Sequence, residues 1–433
     1  MTPPPDTPTP DHLMTVDLAI VGAGPVGLAL AGWLAQRSAT RGLRVALIDA
    51  RDASVSPSGG TTDPRAIALS QGSRMLLEPL AWPADTAGMA TELGTIKQIH
   101  ISQRGYFGRA LIDHREHNLP ALGYVVRYSR LVEQLSAAAK ATPIRWLTQT
   151  IALAPIQDAQ GVTLPLCDAD GMMHLRARLV IHAEGGLYQP AKAVGGGAPP
   201  GNEKESSLPN REPSKLPLRP MQTRDYRQIA VVGTVRVASP RPNMAWERFT
   251  SEGPLALLPL GGARHELALV WCGQPAASQA RLGLSDAEFL EALQQAFGSR
   301  LGRFTEIGPR ASFPLGLNAL QQVVNGRTAA IGNAAQTVHP VAGQGLNLGL
   351  RDAYALVDAL AQHGATPEAL DDFAARRAGD RRLTIASTDM LARAFTADFA
   401  PLGALRGLAL AALDFVPPAK TWLARQMMFG QRR

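Results

Sequence analysis

A chain of 433 residues, 45% of them hydrophobic, has the material for two or three domains or one large composite fold, which excludes global disorder. A formal charge of +7 suits an anionic partner such as a membrane surface, whereas the absence of zinc-finger spacing, an RNP-like motif or a dense Lys/Arg tract argues against nucleic acid. The two cysteines, Cys167 and Cys272, stand too far apart for a C-x-x-C redox pair and point to a reducing compartment without a disulfide framework.

Residues 1–14 include Pro3, Pro4, Pro5, Pro8 and Pro10 and lack the charged start and apolar core of a signal peptide, so they read as a disordered tail. No apolar run reaches the ~18–20 residues needed to span a bilayer. Val16 to Val21 reads as a strand, then come Gly22-Ala23-Gly24-Pro25-Val26-Gly27, a helix through Leu28, Leu30, Ala31 and Leu34, and a second strand from Arg44 to Ile48 that ends at Asp49. This is β–α–β with G-x-G-x-x-G in the turn and an acid after the second strand, the arrangement that binds a dinucleotide. Gly22 permits the tight turn, Gly24 with Pro25 beside it lets a pyrophosphate approach the backbone, and Gly27 lets helix and strand pack closely. Asp49 would accept hydrogen bonds from a ribose. The motif alone leaves FAD and NAD open, and no second G-x-G-x-x-G occurs.

Asp63-Pro64-Arg65-Ala66-Ile67-Ala68-Leu69-Ser70 reads as the approach to a helix, with Arg65 at its start as a surface cation, a neutraliser of pyrophosphate or a border of the active site. Gly123 to Leu131, holding Arg127 and Arg130, leads into a helix through Leu135. Leu179 to Ala183 reads as a buried strand ending in a turn at Glu184, Gly185 and Gly186. Residues 195–219 are rich in Gly, Pro, Ser, Glu and Lys and read as a flexible insertion. After it, Ile229 to Val237, Pro254 to Leu260 and His265 to Trp271 form an antiparallel sheet with turns at Gly253 and Gly261-Gly262. Thr328 to Ile331 reads as a buried strand, and Leu346, Leu350, Tyr354, Val357 and Leu360 follow helical spacing. The loop between them, with Pro340, Gly343 and Gly345, lets backbone approach a planar ligand. A helix starting near Gly345 aims its free N–H groups and positive end into that gap, which suits a flavin that gains charge at N1 and C2=O on reduction. His339, before a proline, either caps a turn or supplies polarity and a proton relay. Helical patterns at Leu370–Arg382, Leu391–Phe399 and Leu402–Leu413 precede Lys420, Arg425, Arg432 and Arg433. They read either as helices packed on the core or as a greasy, cationic face for anionic lipid.

The run from Gly332-Asn333-Ala334-Ala335 to Asp352 resembles the second FAD motif of flavin-dependent aromatic hydroxylases. More narrowly it resembles the ubiquinone-biosynthesis hydroxylases, G-N-A-A-H-x-x-H-P-x-A-G-Q-G-x-N-L-G-x-x-D, with Gln336 where that family usually has His. Asp63 to Ser70 is similar to their D-x-R-x-x-A-L-S segment, and Glu247 to Pro259 to their E-R-F-T-x-x-G-P-x-A-L-L-P. The A-D-G segment, usually followed by Ser and Arg, appears here with Glu184 for Asp and with neither residue in Leu187-Tyr188-Gln189-Pro190, a departure that bears on the reductive half-reaction more than on FAD.

The resemblance implies an α/β fold: a Rossmann-like FAD-binding domain of the p-hydroxybenzoate hydroxylase type, an antiparallel substrate sheet and C-terminal helices. Residues 15–85, 119–194 and 320–365 would form the discontinuous FAD-binding domain, 86–118 and 220–319 the substrate domain, and 366–433 a C-terminal helical region. FAD would be held by Gly22, Gly24, Pro25, Gly27, Asp49, Arg65, Arg127 (preferred over Arg130), Glu184, Gly185, Asn333, Gly343, Gln344, Gly345, Leu346 and Asn347, with His339 and Pro340 at the flavin face and no metal. The implied activity is ring hydroxylation of a polyprenyl phenol in ubiquinone biosynthesis with NAD(P)H and O2. The implied place is cytoplasmic, peripheral on the inner face of the membrane, within a biosynthetic complex. The rivals are a hydroxylase of a soluble aromatic compound and a non-catalytic FAD-binding member of such a complex; a flavin halogenase is disfavoured because no W-x-W spacing occurs.

Overall fold

The structure, a computed structural model, describes residues 13–52, 63–80, 93–106, 108–185, 221–262 and 265–394, with 421, 425 and 428–430. The 195–219 insertion, the segment 187–190 and the helical pattern at 402–413 lie outside these residues. Leu13 and Met14, assigned above to the tail, already belong to the first strand, Leu13–Val21.

That strand sits at the centre of a mainly parallel sheet. Across it run Arg145–Leu147, Val45–Ile48, Leu13–Val21, Gly171–His182 and Thr328–Ala330, each parallel to its neighbour. The strands are buried on both faces, so Val45–Ile48 reads as an unbroken apolar run rather than an alternating one. The helix Pro25–Gln36 follows the first strand and is buried from Pro25 to Leu34. Tyr128–Lys140 and Gln344–His363 pack beside it around Leu28, Leu30, Leu131, Leu350 and Leu356. Beyond Gly171–His182 the sheet continues antiparallel through Val162–Asp168.

A second sheet is built on the 17-residue strand Met221–Val237. Its order is Ala311–Leu320, Met221–Val237, Leu267–Gly273, Pro254–Pro259, Met244–Phe249, Gln98–Gln103, Arg109–Asp113. All neighbours are antiparallel except Met244–Phe249 with Gln98–Gln103, which run parallel, so the sheet is mixed rather than antiparallel throughout. A small sheet of Ala66–Ser70, Gly123–Arg127 and Gly94–Ile96 lies between the two large ones.

Two further sequence expectations change. Arg65 precedes a strand, not a helix: Ala66–Ser70 pairs along its whole length with Gly123–Arg127, and the helix begins only at Gln71, capped by the Ser70 hydroxyl. The patterns at Leu370–Arg382 and Leu391–Phe399 share one continuous helix, Pro367–Ala394, as far as the described residues go. No Gly or Pro interrupts Leu383–Met390; the polar stretch turns inward instead, with Thr384 and Thr388 buried and the Thr388 hydroxyl donating to the Thr384 carbonyl at 2.7 Å. Among the described residues no helix is long and apolar enough to cross a membrane.

Candidate active site

The C-terminal ends of the three central parallel strands converge on one edge. Gly22 has φ +107 and its α-carbon faces the Ala183 carbonyl, where an added Cβ would sit 2.7 Å from that oxygen. Gly27 is tighter still, since a Cβ there would meet the Gly22 carbonyl oxygen at 2.0 Å. Gly24 differs: a Cβ there meets nothing within 4 Å, and it caps Pro25–Gln36 without any side-chain hydrogen bond. Free N–H groups of a buried helix therefore face open space, which fits a pyrophosphate. Asp49 closes the turn by accepting from the Ala23 N–H at 2.6 Å, and it also accepts from the Arg51 backbone and guanidinium at 2.8–3.0 Å. Burial pushes the Asp49 carboxyl upward, but these bonds outweigh it and hold its pKa below the ordinary value. A ribose hydroxyl would reach Asp49 when Arg51, whose side chain is 60% exposed, swings aside. Glu184 follows in the adjoining turn, 3.5 Å from Nδ1 of the buried His182, and Gly185 is open.

The second edge is the loop 332–347. Gly343 adopts φ 60 and caps Gln344–His363, whose first turn carries no acidic residue and no side-chain cap. The helix can approach because Gly349 lies against Gly332 and Val26; a Cβ at Gly349 would come 2.9 Å from the Gly332 α-carbon. Asn333 is exposed, and Gly345 and Leu346 are half-buried. Asn347 is 2% exposed and internally committed: its amide donates to the carbonyls of Ala68 and Gly343 at 2.9 and 2.7 Å and accepts from the Ser70 N–H at 2.9 Å. It joins the two motifs at Asp63–Ser70 and Gly332–Asp352 across 277 residues of chain, so its part is to position the loop rather than to touch a ligand. Gln344 is likewise buried, inside the helix rather than in the loop before it.

His339 is fully buried. Its Nδ1 accepts from the Val341 N–H at 3.1 Å, which leaves the proton on Nε2 facing the Gln228 side-chain oxygen at 3.0 Å. Burial drives its pKa down to about 4. A neutral ring with both nitrogens engaged caps the turn before Val341, and the proton-relay reading falls. Gln228 and Tyr226 reach His339 because the long strand bulges between Asp225 and Gln228, with Arg227 at φ 52. Tyr226 meets the His339 ring edge-on at 5.2 Å and donates its hydroxyl to Asp389 at 2.9 Å. Gln336, the departure from the family pattern, sits in a buried network: its amide donates to Asp352 and accepts from Arg381, both at 2.7 Å, while Arg377 also bonds Asp352. Asp389, Arg381 and Arg377 all lie on Pro367–Ala394, so this helix clamps the loop rather than standing apart from it.

Arg65 is bound to Asp63 at 2.6 Å, with its guanidinium 4.0 Å over Tyr128 and 5.5 Å from Phe313. Arg127 reaches across to Glu266 at 2.7 Å, tying the small sheet to the large one, whereas Arg130 pairs on the exposed side with Glu133. Sequence reasoning missed this linkage, because nothing local in Glu266 marks it as the partner of both Arg127 and Arg236.

A family model described as "FAD binding domain" matches residues 15–382. The chain is 32% identical to ubiquinone hydroxylase UbiL of Rhodospirillum rubrum, over 95% of this chain and 89% of that protein. The chain belongs to the FAD-dependent hydroxylases of ubiquinone biosynthesis. Another relative in this family, the 3-demethoxyubiquinol 3-hydroxylase of Escherichia coli, is 30% identical over 92% of this chain and 94% of its own. Among solved structures, p-nitrophenol 4-monooxygenase PnpA from Pseudomonas putida DLL-E4 aligns with a TM-score of 0.68 at 17% identity, over 97% of this chain and 100% of that one. PqsL from P. aeruginosa aligns with a TM-score of 0.64 at 20% identity, over 92% and 99%. These two show the shared fold. As a member of this hydroxylase family the protein binds FAD and is an FAD-dependent aromatic-ring monooxygenase, which sets aside the reading as a non-catalytic member of a complex.

Proposed function

We propose that this hydroxylase acts on the ring of a polyprenylated phenol, with NAD(P)H as transient reductant and O2 as oxidant. The observation that carries the reading is the face of the large sheet turned toward the loop 338–345, where Phe249 clusters with Val341 and with which it would form the substrate cleft. Ala256, Val270, Ala311 and Phe313 give that face apolar, half-buried side chains, the last three packed against Ala230, Val232, Cys272 and Leu315. Similarity to proteins named as ubiquinone hydroxylases supports the substrate class.

When bound, FAD supplies the electron transfer and oxygen activation. The residues proposed to hold it are those of the two edges: Gly22, Gly24, Pro25 and Gly27 with the free helix end, Asp49, Glu184 and Gly185 at the adjoining turns, and Asn333, Gly343, Gly345 and Leu346 along the loop. Gln344 and Asn347 act from inside by fixing that loop. Arg65 and Arg127 border the cleft from the small sheet. Pro340, half-buried beside the capped His339, would face the ring. The apolar wall excludes water, and His339, Gln228 and Tyr226 keep the loop in place. The charge of +7 supports contact with an anionic membrane surface, where such a substrate resides, and a place in a biosynthetic complex on the cytoplasmic face.

The test is turnover of a short-chain prenylated phenol with NADH or NADPH under labelled O2. One labelled oxygen in the ring product is the expected result. Reductant consumption with no label in any prenyl phenol, but label in a soluble aromatic acid, would replace this reading with the soluble-substrate one.

A further inference from the structure

The strand Met244–Phe249 carries Glu247 with its side chain on the cleft side of the sheet. Alternation places Met244 and Trp246 on the opposite face, where they pack against the helix Asp286–Phe297, and leaves Ala245, Glu247 and Phe249 facing the flavin half. The register sets one row across this face: Ile101, Glu247, Ala256, Val270, Val232 and Ala311 stand opposite one another from strand to strand. Five of the six are apolar, and Glu247 and Ala256, paired across two strands, are both half-buried. At the end of the row Ile101 and Phe249 touch Val341 and Leu391, so it abuts the loop against which the ring of FAD is proposed to lie. Glu247 makes no hydrogen bond or ion pair among the described residues.

A carboxylate in an apolar row, with nothing inside the protein to pair with, is a costly feature that an incoming hydrogen-bond donor would relieve. We propose that Glu247 is a catalytic residue that accepts the phenolic O–H of the substrate and takes up its proton as the ring is oxygenated. This rests on the reading that a phenol occupies the cleft. As oxygen bonds to a ring carbon, the phenolic O–H bond breaks, its electron pair moves into the ring and the proton passes to a Glu247 oxygen. The oxygenated carbon then loses its own hydrogen as a proton, which ends in the water formed from the second oxygen of O2, the ring regains aromaticity, and Glu247 returns its proton to the phenolic oxygen. The oxygen atom comes from O2 through the established activity, and Glu247 ends as it began.

Burial alone pushes the Glu247 carboxyl up to about 7, where it can both accept and return a proton near neutral pH. The ionisable groups around it leave that behaviour to Glu247. The Cys272 thiol on the same face is driven further up by burial and by the charge of Glu247. Arg65 is held by Asp63 over Phe313, and His339 stays neutral behind Gln228. Tyr226 is raised by burial and by its bond to Asp389, so it does not titrate near neutrality.

The experiment measures binding to the FAD-loaded protein by calorimetry from pH 5.5 to 8.5, using two probes, phenol and methoxybenzene, which lacks the O–H. Phenol should bind about tenfold more tightly at the upper end, with a midpoint near the carboxyl pKa, because a charged acceptor holds an O–H more strongly than a neutral acid. Methoxybenzene should show no such rise. Glu247→Gln should flatten the phenol curve with FAD content unchanged, and Glu247→Asp should restore part of the rise. A rise that persists in Glu247→Gln, or that methoxybenzene shares, overturns the assignment while leaving the phenol reading intact. Failure of the unaltered protein to bind phenol at any pH overturns the phenol reading and this assignment together.

Discussion

The two faces of the large sheet are built on opposite principles. On one face Val231, Trp246, Leu255, Leu257, Leu269 and Trp271 pack against Phe289, Leu293 and Phe297. The aromatic rings meet edge-on, Trp271 with Phe289 at 5.7 Å and Trp246 with Phe297 at 5.9 Å. On the other face, strand for strand, stand Ala230, Ala245, Ala256, Ala268 and Cys272 with Glu247 among them. The first face is filled by large rings and leucines, and the second packs smaller side chains around a carboxylate that has no partner among the described residues. A like division separates the glycines of the first turn: Gly27 has no room for a Cβ, whereas one at Gly24 would meet nothing within 4 Å.

That contrast breaks most sharply at the glycines. Gly27→Val forces a side chain onto the Gly22 carbonyl and should abolish soluble folded protein, whereas Gly24→Val should give folded protein, with melting behaviour little altered, that purifies without its yellow flavin. Folded Gly24→Val at full FAD occupancy would remove the cofactor turn from that position. Next, Phe289→Ala deletes a fully buried ring from the packed face and should cost about 3–5 kcal/mol in denaturant unfolding, with FAD content unchanged in the protein that remains folded.

His339 offers a pH-dependent version. Its folded pKa of about 4 lies below the 6.5 of an unperturbed imidazole, so the unfolded chain binds the proton more readily between those values. The stabilising contribution is complete above about pH 6.5 and is lost as pH falls toward 4, on the order of 3 kcal/mol over the window. His100, depressed to about 4 mainly by burial, adds in the same direction and remains when His339 is replaced. His339→Asn should therefore show a shallower fall in unfolding free energy between pH 6.5 and 4.5 than the parent; equal slopes would mean the ring does not stay neutral. The smallest stability effect belongs to half-buried Ala256 on the second face, where Ala256→Phe should move unfolding by less than ~1 kcal/mol yet weaken phenol binding at least about tenfold.

The first β–α–β unit was legible because its whole logic is local. Strand, turn, helix and acid occupy residues 13–49, and the steric demands of Gly22, Gly24 and Gly27 are set by atoms a few residues away. The loop at 332–347 was legible in outline for the same reason. Its partners were not: Asn347 bonds to Ala68 and Ser70, Gln336 to Arg381, and His339 to Gln228, all separated by long stretches of chain. No periodicity reports such pairings, since each depends on where two distant backbones are brought together.

By itself, then, the sequence determined the nucleotide-binding unit, the alternating strands at 229–271 and the family. The tertiary structure alone decided that His339 is a neutral cap, that Asn347 is a staple, that the 367–394 helix clamps the loop at 332–347, and that Glu247 stands on the sheet face turned toward that loop. The physical reason is one of range. Backbone conformation and apolar period are written in neighbouring residues, whereas burial, and with it the protonation and bonding of every buried polar group, is set by the whole assembly of strands and helices around it.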